Sequence, residues 1–181
     1  AISEQPKPVS PAKTLLLVDD HHVMYRAGTK RVFHPARLNE TNPVIREDQP
    51  WEMAIGWTSV IRHAETGKYE LWYQAYAGGR DGRKSHKCVV CLAESDDGIK
   101  FTKPELGVHD FKTDRKPFAG HHTATNIVLT GDGGYGDRYA NSVVFDLADG
   151  EPSRRYKMLY TDFGKDSDGR EGPEFFASFS P

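Results

Sequence analysis

Two acids followed directly by two histidines stand at Asp19-Asp20-His21-His22. Carboxylates and imidazoles are the usual general acids, bases and metal ligands. Two acids at the end of the apolar run TLLLVDD repel each other. Neighbours along a strand point to opposite faces, so one of the two can face a site. Two further acids precede strand-like segments: Glu52 after Trp51, and Asp137 in DRYANSVVFD, which also holds the amide Asn141. A loop salt bridge is the other reading of Glu52, and an Asx-turn that of Asp137. A second histidine pair stands at His121-His122. A metal site needs three or four converging ligands, and the spacing of these histidines provides none. They read as loop residues that bond sugar or backbone. No metal and no cofactor is expected, and the Asp- and Gly-rich GRDG and DSDGREGPE read as turns rather than calcium loops.

Cys88 and Cys91 form a C-x-x-C in KCVVCLAES. A redox dithiol or half a zinc site needs a turn or helix start there. The flanks read as a strand, which sends i and i+3 to opposite faces, so two buried thiols are expected. Trp51, Trp57, Trp72, Tyr73 and Tyr76 divide by strand parity between packing positions and a surface platform.

The elements that must position these residues are strands. In 181 residues, 37% are hydrophobic and 28% charged, with a formal net charge of -2. That balance gives no electrostatic case for nucleic acid, which wants a clustered basic face, and no apolar run approaches a membrane span of about 20 residues. Residues 1–13 are polar with three prolines and read as a disordered leader. A removed signal peptide would leave such a start, so a secreted or periplasmic location is expected. No stretch shows helical periodicity. After an irregular region to residue 50, strands are expected at WTSVIRH (57–63), YELWYQAY (69–76), KCVVCLAES (87–95) and IKFTKPEL (99–106). Earlier, HHVMYRAGTKRVFHPA reads as a strand bent at Gly28. Gly67 and Asp97-Gly98 supply the hairpin turns.

The order then recurs in ANSVVFD, YKMLYTDF and EFFASFSP. Ser59 aligns with Ser142, Tyr69 with Tyr156 and Ser95 with Ser180, at offsets of 83, 87 and 85 residues. A repeated four-stranded unit is the signature of a β-propeller, and a β-sandwich is the competing architecture.

LLLVDDHHV, RVFHPA, NPVI, PWE, YELWYQAY and above all Ser95–Gly107 (S-x-D-G-I-x-F-x-K-P-E-L-G) resemble the five-bladed β-propeller glycosidase superfamily, invertase-like and arabinanase-like, of glycosyl hydrolase families 32 and 43. The W-M-N-D-P-N-G and R-D-P motifs of the invertase branch are absent. The resemblance implies an all-β propeller of four-stranded antiparallel blades. About two and a half are expected, at 14–50, 51–110 and 121–181, the last incomplete. It implies glycan hydrolysis by carboxylates in a central funnel, with Asp19 or Asp20 as nucleophile or base. Glu52 and Asp137 would be acid or stabiliser. His21, His22, Trp51, His121, His122 and Asn141 would bind substrate. A non-catalytic carbohydrate- or protein-binding propeller is the alternative. So few blades leave apolar faces open, so self-association or pairing with a missing half is expected.

Overall fold

The computed structural model describes residues 20, 23, 25, 27–77, 88–130, 139–165 and 167–181. Two compact units result, Ala1–Leu38 and Asn39–Pro181. The described residues of the first form neither helix nor strand. The strand expected across Gly28 is therefore not seen there. Only its bend is, with Gly28 at φ +65°. Tyr25 and Phe33 stand in solvent, so no buried face holds this segment extended. Asp20 is ion-paired with Arg31, whose guanidinium lies over the Phe33 ring.

The second unit is all-β, with no α-helix among its described residues. β1 (Ala54–Arg62), β2 (Tyr69–Tyr76) and β3 (Cys88–Ser95) form an antiparallel meander. β4 (Phe111–Thr113) and β5 (Gly120–His122) make a small separate hairpin. β6 (Ile127–Leu129) returns to pair with β3, giving the order β1-β2-β3-β6. β7 (Tyr139–Phe145), β8 (Tyr156–Lys165) and β9 (Glu171–Ser180) form a second meander.

The fourth strand differs from the one expected at 99–106. Those residues pair with β3 only through the isolated Glu94–Thr102 bridge. Lys103 then swings toward Glu52, and Pro104 has no N–H for a ladder. The β-branched Ile127 and Val128 occupy the edge instead. Ser95–Gly98 is still a tight turn. The Asp97 carboxylate accepts the Ile99 and Lys100 amides at 2.8 Å, and Gly98, at φ +70°, lies against the Tyr69 ring.

The recurrence in sequence is a recurrence in register. Tyr69 pairs with Ser95 and Tyr156 with Ser180. Ser59 pairs with Trp72 and Ser142 with Leu159. Each first strand carries a bulge at the same place, between Gly56 and Ser59 and between Tyr139 and Ser142. A bulge bends and re-aims its strand, so even this irregularity belongs to the repeat.

β3 is buried almost throughout because both faces of the first sheet are covered. On one face Leu71, Tyr73, Ala75, Val89, Cys91 and Ala93 meet Trp51 and Phe111, with Ile45 and Phe101 packed around them. On the other face stands the second sheet. Trp72 packs on Tyr156 at 5.6 Å, His63 meets Phe145 edge-on at 4.9 Å, and the Val143 amide donates to Ser59 Oγ at 3.1 Å. The described residues thus give stacked antiparallel sheets, and no closed five-bladed ring is formed by them.

Candidate functional site

Glu52 is sealed in the core side of the first sheet, its side chain wholly without solvent exposure. Its Oε2 accepts the Asp48 and Gln49 amides, both at 3.0 Å, and meets Lys103 Nζ at 2.7 Å. Its Oε1 accepts the Tyr73 hydroxyl at 2.7 Å. Burial first, then Cys91 and Glu52, pushes the Tyr73 hydroxyl far above the ordinary phenol range, so it is a fixed donor at neutral pH. Asn126 continues the network, donating to Tyr73 Oη at 2.7 Å and accepting the Trp51 indole N–H at 3.0 Å. Both carboxylate oxygens of Glu52 are thus engaged inside the protein. Lys103 also reaches Asp48 Oδ1 and the Arg46 carbonyl. NPVI, PWE and KPELG therefore meet in one knot that fastens the 42–52 loop to the sheet, the arrangement of a structural carboxylate.

A different polar group collects between the sheets. The Val143–Ser59 and Phe145–His63 contacts advance together along both chains, so β1 and β7 run in the same direction with their bulged starts side by side. Burial alternates along β7, Asn141 and Val143 inside, Ser142 and Val144 outside, which turns Asn141 toward the first sheet. It is 4% exposed, yet neither its Nδ2 nor its Oδ1 has a hydrogen-bond partner among the described residues. Each such buried group costs about 1–3 kcal/mol. Asp162, 8% exposed, occupies the same face of neighbouring β8, directly opposite half-buried Glu174 on β9. Gln74, fully buried, lies on the face of β2 that the second sheet covers.

At the rim of this seam stands Trp57. It is 51% exposed and held at φ +44°, a rare conformation for a bulky residue. Its indole N–H donates to Tyr76 Oη at 3.0 Å. A half-exposed ring in a strained bulge can take a ligand with an apolar face and hydroxyl edges.

The remaining expected site residues lie elsewhere. Trp51 is 2% exposed and packs edge-on against Phe111 and His122. It is core, not a platform. His122 donates from Nε2 to the Phe118 carbonyl at 2.9 Å, and exposed His121 pairs with Asp110 at 2.7 Å. Both are on the β4–β5 hairpin, across the first sheet from Asn141, rather than beside it. Asp20 belongs to the other unit and is exposed. Asp19, His21, His22 and Asp137 lie outside the described residues. Among the described residues no three His, Cys, Asp or Glu side chains group to hold a metal ion. Cys91 is in the core cluster, and Cys88 faces the other way on the same strand; both are buried and neither is in a disulfide. Burial, followed by nearby Glu52, pushes the Cys91 thiol well up, away from the reactive thiolate.

Asp162 was not among the residues expected from sequence. Its signal was present: Tyr156, Met158 and Tyr160 share a covered parity in YKMLYTDF, and Asp162 continues it where the first repeat has Ala75. Compared with protein families, curated proteins and solved structures, the chain gives no match in any of the three.

Proposed function

We propose that this protein is a glycan-binding β-domain of the blade-repeat kind, which takes a sugar at the paired starts of β1 and β7. The observation that carries this reading is the Asn141 amide, buried with both polar atoms unpartnered among the described residues. An amide offers a donor and an acceptor side by side, the complement of adjacent sugar hydroxyls. Trp57 at the rim supplies a ring face for the C–H side of the sugar. The resemblance of Ser95–Gly107 to propeller glycosidases favours the same ligand class, and the five-bladed architecture is part of this proposal. Affinity electrophoresis through gels containing arabinan, fructan, xylan or algal polysaccharides tests it. Retardation by one of these, lost in Asn141→Ala and Trp57→Ala, is expected. A protein that none of them retards, or variants retarded like the parent, refutes it.

Hydrolysis is the second reading, favoured by the opposed Asp162 and Glu174. Directly opposite residues on one sheet face have Cβ atoms about 4.5–5.5 Å apart, within reach of the carboxylate spacing of retaining glycosidases. It predicts turnover of aryl glycosides that Asp162→Asn and Glu174→Gln each abolish, with glycan retention unchanged.

A further inference from the structure

The chain has four asparagines. Asn126 and Asn141 are buried. Asn39 and Asn42 stand in solvent on the loop ahead of β1. Only Asn39 has a hydroxyl side chain two residues on, in Asn39-Glu40-Thr41. Asn42 leads into Pro43-Val44, Asn126 into Ile127-Val128 and Asn141 into Ser142-Val143. Asn-x-Ser/Thr with a middle residue other than proline is the acceptor pattern for N-linked glycans. Three residues match by chance often enough that the local structure must decide.

That structure is a turn. The Asn42 amide donates to the Asn39 carbonyl at 3.1 Å. Within the turn, Asn39 Oδ1 accepts the Thr41 backbone N–H at 2.9 Å and the Thr41 hydroxyl at 2.7 Å. This is an Asx-turn closed by the hydroxyl as well as by the backbone. It occupies the oxygen of the side-chain amide and leaves the nitrogen, with its two hydrogens, for a reaction partner. Asn39, Glu40 and Thr41 are all exposed. The loop that carries them is tied down just beyond. Ile45 packs on the core, the Arg46 carbonyl accepts Lys103 Nζ at 2.7 Å, and the Asp48 and Gln49 amides donate to Glu52. The folded protein thus presents the turn on an anchored loop.

We propose that Asn39 is the acceptor site for an N-linked glycan, transferred to the folded chain from a polyprenyl-pyrophosphate-linked oligosaccharide. Asn39 Nδ2 forms a bond to C1 of the first sugar as the bond from C1 to the pyrophosphate oxygen breaks. The lipid pyrophosphate leaves with that electron pair, one Nδ2 proton passes to a base of the transferring enzyme, and nothing is oxidised or reduced. Thr41 is a positioning residue: its hydroxyl holds Oδ1 and so leaves Nδ2 outward. The proposal is independent of sugar binding at the β1–β7 seam, since here the sugar is attached covalently, to the loop ahead of β1.

The test is transfer in vitro to the folded full chain, using a purified single-subunit oligosaccharyltransferase and a lipid-linked oligosaccharide. A synthetic Asn-Glu-Thr peptide in a parallel reaction reports that the enzyme is active. Intact-mass spectrometry should show one addition, equal to one donor glycan. Peptide mapping after peptide N-glycosidase should find aspartate in place of Asn39, and Asn42 unchanged. Asn39→Gln should abolish transfer, Thr41→Ala should reduce it to background, and Thr41→Ser should restore it. These substitutions lie on an exposed turn, and circular dichroism matching the parent's shows that each variant is folded. Absence of transfer to the folded chain overturns the proposal, including where the denatured chain is modified. So does a glycan on Asn42, or transfer that survives Thr41→Ala.

Discussion

Removing the Lys103 ammonium is the sharpest perturbation of the buried knot. Lys103 lies 2.7 Å from Glu52 Oε2 and is itself only 11% exposed, while the Glu52 side chain has no exposure. In Lys103→Met the carboxylate keeps its three hydrogen bonds from Tyr73, Asp48 and Gln49 but loses its countercharge. Breaking a buried pair from one side costs about 3–5 kcal/mol. Asp48, also within 2.6 Å of Lys103, is largely in water, so Asp48→Asn should cost about 1 kcal/mol or less. Glu52→Gln removes the charge and leaves an amide whose oxygen can accept the two backbone N–H groups while its NH2 donates to Tyr73 Oη in place of the bond that the tyrosine now gives. The double variant Glu52→Gln/Lys103→Met should therefore be more stable than Lys103→Met alone. Urea unfolding followed by Trp fluorescence gives each stability, with buried Trp51 as a reporter of the same region. A double-mutant cycle should return a coupling of about 2 kcal/mol or more between Glu52 and Lys103. A coupling below about 0.5 kcal/mol would refute the reading of Glu52 as a structural carboxylate paired by Lys103.

Three further outcomes follow from single residues. Trp57→Gly relieves a positive φ that glycine adopts freely, worth about 1 kcal/mol. Thermal unfolding should show the variant at least as stable as the parent, whereas Trp72→Gly, which loses the packing on Tyr156, should be clearly destabilised. Cys88 and Cys91 should be silent to Ellman's reagent in the folded protein and both react in denaturant; fast reaction of either in the native state contradicts their burial. The Lys100 amide, then the Ile99 amide and the Ser95 hydroxyl, hold the Asp97 carboxyl below its ordinary range. A depressed folded-state pKa means the turn's contribution is complete above about pH 3.9 and lost as pH falls through the folded value. The Ile99 and Lys100 amide resonances should therefore titrate with a midpoint below 3.9, and a midpoint at or above it contradicts the turn geometry.

The strands were legible wherever a residue pattern of period two met a turn signal. YELWYQAY is β2 to the residue, and the 83-, 87- and 85-residue offsets reappear as identical pairing registers. Trp51 was misjudged as a ligand because an aromatic before a strand reads alike whether it covers the core or faces solvent. Only the distant Phe111 and Asn126 decide which. The fourth strand was misplaced for a related reason. Ile99-Lys100-Phe101-Thr102 alternates well enough, but the pull of Glu52 on Lys103 is a tertiary effect with no local trace. Asn141 is legible as a polar residue at the approach to an inner strand, while its burial depends on a second sheet folding over it.

Glycan binding at the β1–β7 seam is tested most directly by nuclear magnetic resonance of the full chain with a polysaccharide-derived oligosaccharide that retards it. The glycan-binding reading predicts that the Asn141 side-chain amide and the Trp57 indole N–H shift together, saturably, while the Trp51 indole N–H, bonded to Asn126, stays in place. Shifts confined to other residues, with Asn141 and Trp57 unmoved at saturation, would contradict it.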